Sequence, residues 1–166
     1  MQDNPLSSNP LSRLALAIAA AARERDLKDQ KEKDEQAVRT RERDEARVIW
    51  GARKSELPDI VKAIDGMLQL HGYGGLTMGH FELKHTDIDR VVLKFEHSRF
   101  NHSNILICAT LDGQFTCALG ASTPGASSSD ATSTIPMSDL TEVRLKEALS
   151  LAIEECLKKN AQPAGR

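Results

Sequence analysis

All five histidines of this 166-residue chain fall between His71 and His102, and the string His85-Thr86-Asp87-Ile88-Asp89 has His80, His97 and His102 close by. Imidazoles mixed with carboxylates are the ligands of zinc and copper sites. A metal-binding protein or metal-dependent hydrolase built on His80, His85, Asp87, His97 and His102 is therefore one reading of the segment. Its spacing fixes no coordination geometry, because no two histidines stand four apart on an expected helix and no Cys-x-x-Cys occurs. Glu82, Asp87, Asp89 and Glu96 could supply paired carboxylates for acid-base work. They interleave with Lys84, Arg90 and Lys94, the alternation of a solvated strand face with cross-strand ion pairs.

Other chemistry has less support. No Gly-x-Ser-x-Gly elbow is present, and Cys108, Cys117 and Cys156 all sit at positions expected to face a core, where a thiol is inert. Gly72-Tyr73-Gly74-Gly75 leads from a helix into a strand and is not followed by Lys-Ser or Lys-Thr, the reverse of a phosphate-cradling loop. The expectation is a protein without catalytic residues, metal or cofactor. The loop Ser98-Arg99-Phe100-Asn101-His102 sets an arginine beside an aromatic, the residue types that dominate binding hot spots. With Trp50, the only tryptophan, the residues Arg99, Phe100 and His102 are the candidate partner contacts.

The element that would position this loop is the hairpin from Asn104 to Gly120, whose two β-rich runs flank Asp112-Gly113. A two-residue turn there sets Cys108 directly opposite Cys117, at a Cα separation near the short edge of disulfide geometry. Two buried free thiols are the ordinary state of such a pair. The same register puts Leu106, Cys108, Phe115, Cys117 and Leu119 on one face and Ile105, Ile107, Ala109 and Leu111 on the other. The first run is apolar on both faces, which predicts a central strand covered from two sides. Before it, Phe81, Leu83 and His85 alternate with polar neighbours, as do Val91, Leu93 and Phe95, and the turn between them falls near residues 86–89. The four strands form an antiparallel meander.

Helices supply the cover. Leu57, Ile60, Val61, Ile64, Met67 and Leu68 repeat at three and four residues after Ser55, a cap, and the glycines at 72–75 close that helix. Residues 121–136 are rich in Ser and Thr and read as a flexible loop. A final helix opens at Asp139, with Glu142 completing a capping box. Its stripe of Leu145, Leu149, Ala152, Ile153 and Cys156 suits the second face of the central strand.

The first fifty residues differ from the rest. From Leu11 helix formers run nearly unbroken to Trp50, and Gly51 is the first interruption. Between Arg23 and Arg47 most residues are charged with alternating sign, including acid-to-base pairs four apart such as Glu35 and Arg39. Leu16, Leu27, Val38 and Ile49 recur every eleven residues, a stripe too thin for a coiled-coil seam. The run Leu14 to Ala22 after Arg13 has the outline of a secretory signal, but its alanines are only mildly hydrophobic and Asn9-Pro10 starts a helix. The expected organisation is an α+β protein: a helical arm over 1–51, an α+β domain over 52–160 with a helix, four antiparallel strands and a C-terminal helix, and a loose tail over 161–166.

A net charge of −2 projects little field toward nucleic acid, and the arginines of the arm are interleaved with acids. Nothing spans a membrane, and three cysteines are no disulfide framework in a chain of this length, which suits the cytoplasm. These observations predict a non-enzymatic interaction or accessory protein, an adaptor, chaperone-like protein or inhibitor, that binds a protein partner and forms a homo-oligomer through its arm.

Overall fold

A computed structural model describes residues 9–73, 75–80, 82–96, 104–120 and 131–161. The protein is α+β, with helix α1 (Pro10–Leu70), strands β1 (Leu76–His80), β2 (Asp87–Phe95), β3 (Asn104–Thr110), β4 (Gln114–Gly120) and β5 (Ala131–Pro136), and helix α2 (Glu142–Ala161). It divides into two compact units, Met1–Arg41 and Glu42–Arg166. In the first, every described residue is exposed. In the second, five antiparallel strands run in sequence order as a meander.

The arm and the helix after it are one element rather than two. Gly51 and Pro58 lie inside α1, although an interior glycine costs about 1 kcal/mol and a proline about 3. Trp50, Leu57, Ile60, Val61, Ile64 and Leu68 are buried along this stretch. At about 1.5–3 kcal/mol for each large side chain, their burial outweighs both breakers. Ser55 is accordingly no cap, and its Oγ donates to the Ala52 carbonyl at 2.6 Å. The helix ends where the glycines predict. Gly72 is left-handed, with φ 77, Tyr73 N–H donates to Leu68 O at 2.9 Å and Gly72 N–H to Gln69 O at 3.0 Å, the paired bonds of a Schellman close.

Three expectations for the sheet are corrected. The first strand is Leu76–His80 and not the alternating residues after it: Leu83 and His85 lie in the connection to β2. The segment expected as a flexible loop contains a fifth strand at its end, β5, which pairs with β4. Its bonds include Thr132 Oγ1 donating to Cys117 O at 2.7 Å; Ser and Thr side chains disguise a strand that sits at a sheet edge. The central hairpin turns through three residues, Leu111 to Gly113, so Cys108 faces Thr116 and Cys117 faces Ile107. Gly113 N–H donates to Thr110 O at 3.1 Å, and Gly113 has φ 78, as a three-residue loop with its last residue left-handed requires.

That one-residue change moves Cys108 and Cys117 to opposite faces of the sheet, and both are free. The helix-facing side gathers Val91, Leu93, Phe95, Ile105, Ile107, Ala109, Phe115, Cys117 and Leu119 with the buried residues of α1 and α2 in one core. Both helices therefore cover the same face, and α2 lies over β4 and β5. Thr141 caps α2, accepting from Arg144 N–H at 3.3 Å, because a short 3-10 turn, Met137–Asp139, takes up the expected start.

Gly113→Ala should lower the unfolding free energy by about 1–2 kcal/mol, the cost of holding an L-residue left-handed. A Cβ there meets no atom within 4 Å, so the loss should come from backbone conformation alone and read as a lower urea midpoint with an unchanged slope.

Candidate functional site

Asp89 is the one charged residue buried as a whole among those described, 8% exposed, although the Asp87 side chain is buried too, 4% exposed. A β-bulge puts Asp89 there. Asp87 pairs with Thr110 and Asp89 with Ala109, so Ile88 is the extra residue, and the parity of β2 changes across it. Asp89 then faces the helices, while Asp87 turns to the other side beside Arg90, whose Nε lies 2.8 Å away. Without the extra residue both carboxylates would share the core face.

Two residues one turn apart on α1 meet Asp89. Trp50 Nε1–H donates to its Oδ2 at 2.9 Å, Lys54 Nζ lies 2.6 Å from the same oxygen, and the Arg90 backbone N–H donates to Oδ1 at 2.8 Å. Burial pushes the carboxyl up, but Lys54, Trp50 and the Arg90 amide together outweigh it and hold the group below its ordinary value of 3.8. A carboxylate with three charge-stabilising partners is a fixed anchor and a poor general base. The Trp50 ring also sits 6.1 Å from the Phe115 ring, tilted by 36°, within the range of favourable aromatic pairs. Asp65 answers from α1, where its Oδ1 accepts from Leu76 N–H at 2.7 Å and its Oδ2 from Gln69 Nε2 at 2.7 Å.

The sequence-predicted contacts fare unevenly. Trp50, expected to offer its ring to a partner, is 2% exposed and locks α1 to the sheet instead. Arg99, Phe100 and His102 lie outside the described residues, as does His97. His80 and His85 are exposed, and Asp87 is engaged by Arg90 and by Lys84 N–H at 3.0 Å. Among the described residues no three His, Cys, Asp or Glu side chains come together as a metal ion would need.

The thiols are likewise buried. Desolvation pushes Cys117 up to about 12 and Cys156 up to about 11. It raises Cys108 too, against the opposing pull of Arg90. All three stay protonated at neutral pH.

An opening lies between the helices. α1 and α2 run in the same direction, since Glu56 and Asp59 face Glu142 and Lys146 while Ile64 to Tyr73 face Ile153 and Leu157, and a cleft of about 490 Å³ opens between Ile64, Met67, Leu68 and Tyr73 on one side and Ile153 and Leu157 on the other. Met67 is 58% exposed, so this apolar strip is incompletely covered. Two to three turns back along both helices the same seam widens again, lined by Glu56, Asp59, Glu142 and Lys146. Neither opening was singled out from sequence; the signal was present as Met67 within the apolar stripe of α1, but its partner α2 lies some eighty residues away. Separately, the arm carries large apolar side chains in solvent, with Leu11 71%, Leu14 55% and Ile18 60% exposed. No helix among the described residues is long and apolar enough to cross a membrane. Comparison with known proteins finds no matching family model, no matching curated protein and no matching solved structure.

Two outcomes follow. The stability that Asp89 contributes is fully present above its unfolded value and lost as pH falls through its lower folded value. Asp89→Asn should therefore cost about 1.5–3 kcal/mol near neutral pH, the worth of hydrogen bonds to a charged group, and the gap from the parent should narrow below about pH 4 in urea titrations. At constant pH, a disulfide reagent such as DTNB should find almost no thiol in the native protein and three after unfolding, with reaction tracking denaturation.

Proposed function

We propose that this chain is a non-enzymatic interaction protein that self-associates through the first part of α1 and uses its helical surface to hold a protein partner. The carrying observation is the state of the arm: from Leu11 to Glu45 every residue is exposed, including Leu11, Leu14 and Ile18 on one helical face. A helix with an apolar stripe and no covering surface is stable in proteins chiefly when that stripe packs on something.

A second copy suits the arm's charge. Residues 23–47 hold nine basic and nine acidic side chains, so two copies approach without net repulsion, and pairs such as Arg47 with Asp44 at 3.0 Å neutralise charge locally. Among the groups that would otherwise argue for chemistry, Asp89 and Asp87 are held in ion pairs and the three cysteines are buried. Three buried free thiols favour a reducing compartment such as the cytoplasm.

Analytical ultracentrifugation of the full chain at micromolar concentration tests the proposal. The expected result is a concentration-dependent species above the monomer mass that reverts to monomer when Leu14→Glu and Ile18→Glu are introduced together. A strictly monomeric parent across that range would refute it.

A further inference from the structure

We infer that the surface receiving the arm is the seam between α1 and α2 of a second copy, so that residues 11–28 of one chain lie along that seam of its partner, antiparallel to both helices. This rests on the self-association reading and specifies its interface.

The stripe on the arm has two halves. Counting by three and four from Leu11 gives Leu14, Ile18 and Ala21, and then Arg25 and Lys28 on the same face. The seam has two halves as well. Its apolar end is bounded by Ile64, Met67, Leu68 and Ile153, and its acidic end holds Glu56, Asp59 and Glu142 against Lys146, with Arg53 on Glu56 at 3.0 Å. Asp59 is exposed and borders the opening. With Glu154 at the apolar end, the seam carries four carboxylates against Lys146 and Arg53. Residues 10–28 carry four basic side chains against two acidic ones. The signs are complementary.

The spacings agree. Leu68 and Asp59 are nine residues apart on α1, about 14 Å along its axis, while Arg25 lies seven residues beyond Ile18 and eleven beyond Leu14, about 10 and 16 Å on the arm. With Leu14 and Ile18 in the apolar opening, Arg25 and Lys28 reach the carboxylates only if the arm runs opposite to α1. Anchors at i, i+3 and i+7 are how an amphipathic helix fills a helix-lined groove. Pairing of arm with arm fits less well, since the apolar stripe is barely two turns long, short of a stable coiled-coil seam. Parallel pairing would set Arg25 against Arg25, and antiparallel pairing over 11–28 would set Leu11 against Lys28.

Mixing two full-length variants in the ultracentrifuge decides the matter. The arm variant carries Leu14→Glu and Ile18→Glu; the seam variant carries Met67→Glu and Ser150→Glu, both at exposed helix positions. Each alone should be monomeric, and an equimolar mixture should recover a heteromeric species, because one intact arm meets one intact seam. A seam variant that associates as the parent does would overturn this inference while leaving self-association through the arm standing. A parent that is itself monomeric would remove both, and a mixture that stays monomeric would overturn the inference. Charge reversal gives an independent reading should a seam variant misfold: Arg25→Glu and Asp59→Lys should each weaken association about tenfold or more, and together restore it; additive losses would overturn the contact.

Discussion

The contact on which the second unit depends is the hydrogen-bonded carboxylate of Asp89 held by Trp50 and Lys54. It joins β2 to α1 across 39 residues of sequence. A buried carboxylate costs several kcal/mol in desolvation unless its oxygens are satisfied, so this one fixes both the position and the rotation of the helix. Turning α1 by one residue would take Trp50 and Lys54 away together and leave a charge in the core. The apolar contacts around it, Trp50 on Phe115 and Leu57 to Leu68 over the strands, supply the larger energy. They are less particular about register, since hydrophobic packing is non-directional.

The bulge at Ile88 makes this arrangement available. A strand alternates faces with period two, so a single extra residue sends Asp87 and Asp89 to opposite sides. One carboxylate then pins the helix, and the other joins Arg90 on the far face. Asp65, reaching from α1 to the first amide of β1, ties the end of the same helix to the edge of the sheet. Two carboxylates on two elements thus hold α1 at both ends of its buried part. With α1 fixed and α2 set beside it by Leu145, Leu149 and Ile153, the seam between them is lined by residues of both helices.

Much of this was legible in the residues. The hairpin at Asp112-Gly113, the stripe of the final helix, the Schellman glycine and the alternation of Val91, Leu93 and Phe95 all follow from local periodicity, and each appears in the fold. What escaped has physical causes. Gly51 and Pro58 are helix breakers by propensity, and only the burial of Trp50 and Leu57 against a sheet not yet formed overrides them. The hairpin loop is three residues and not two because Thr110 and Gln114 join across it, Thr110 Oγ1 donating to Gln114 O at 3.1 Å; the change of one residue reversed the faces of the first strand. β5 hid in a Ser/Thr-rich run because an edge strand needs little apolar content. Asp89 read as a surface charge because nothing local announces a tryptophan 39 positions away.

The central claim, that a carboxylate on the sheet and an indole on the helix are energetically one unit, is tested most directly by a double-mutant cycle in urea at neutral pH with Trp50→Phe and Asp89→Asn. The expected coupling is about 1–2 kcal/mol, the double variant losing less than the two single variants combined. Losses that add to within about 0.3 kcal/mol would contradict it.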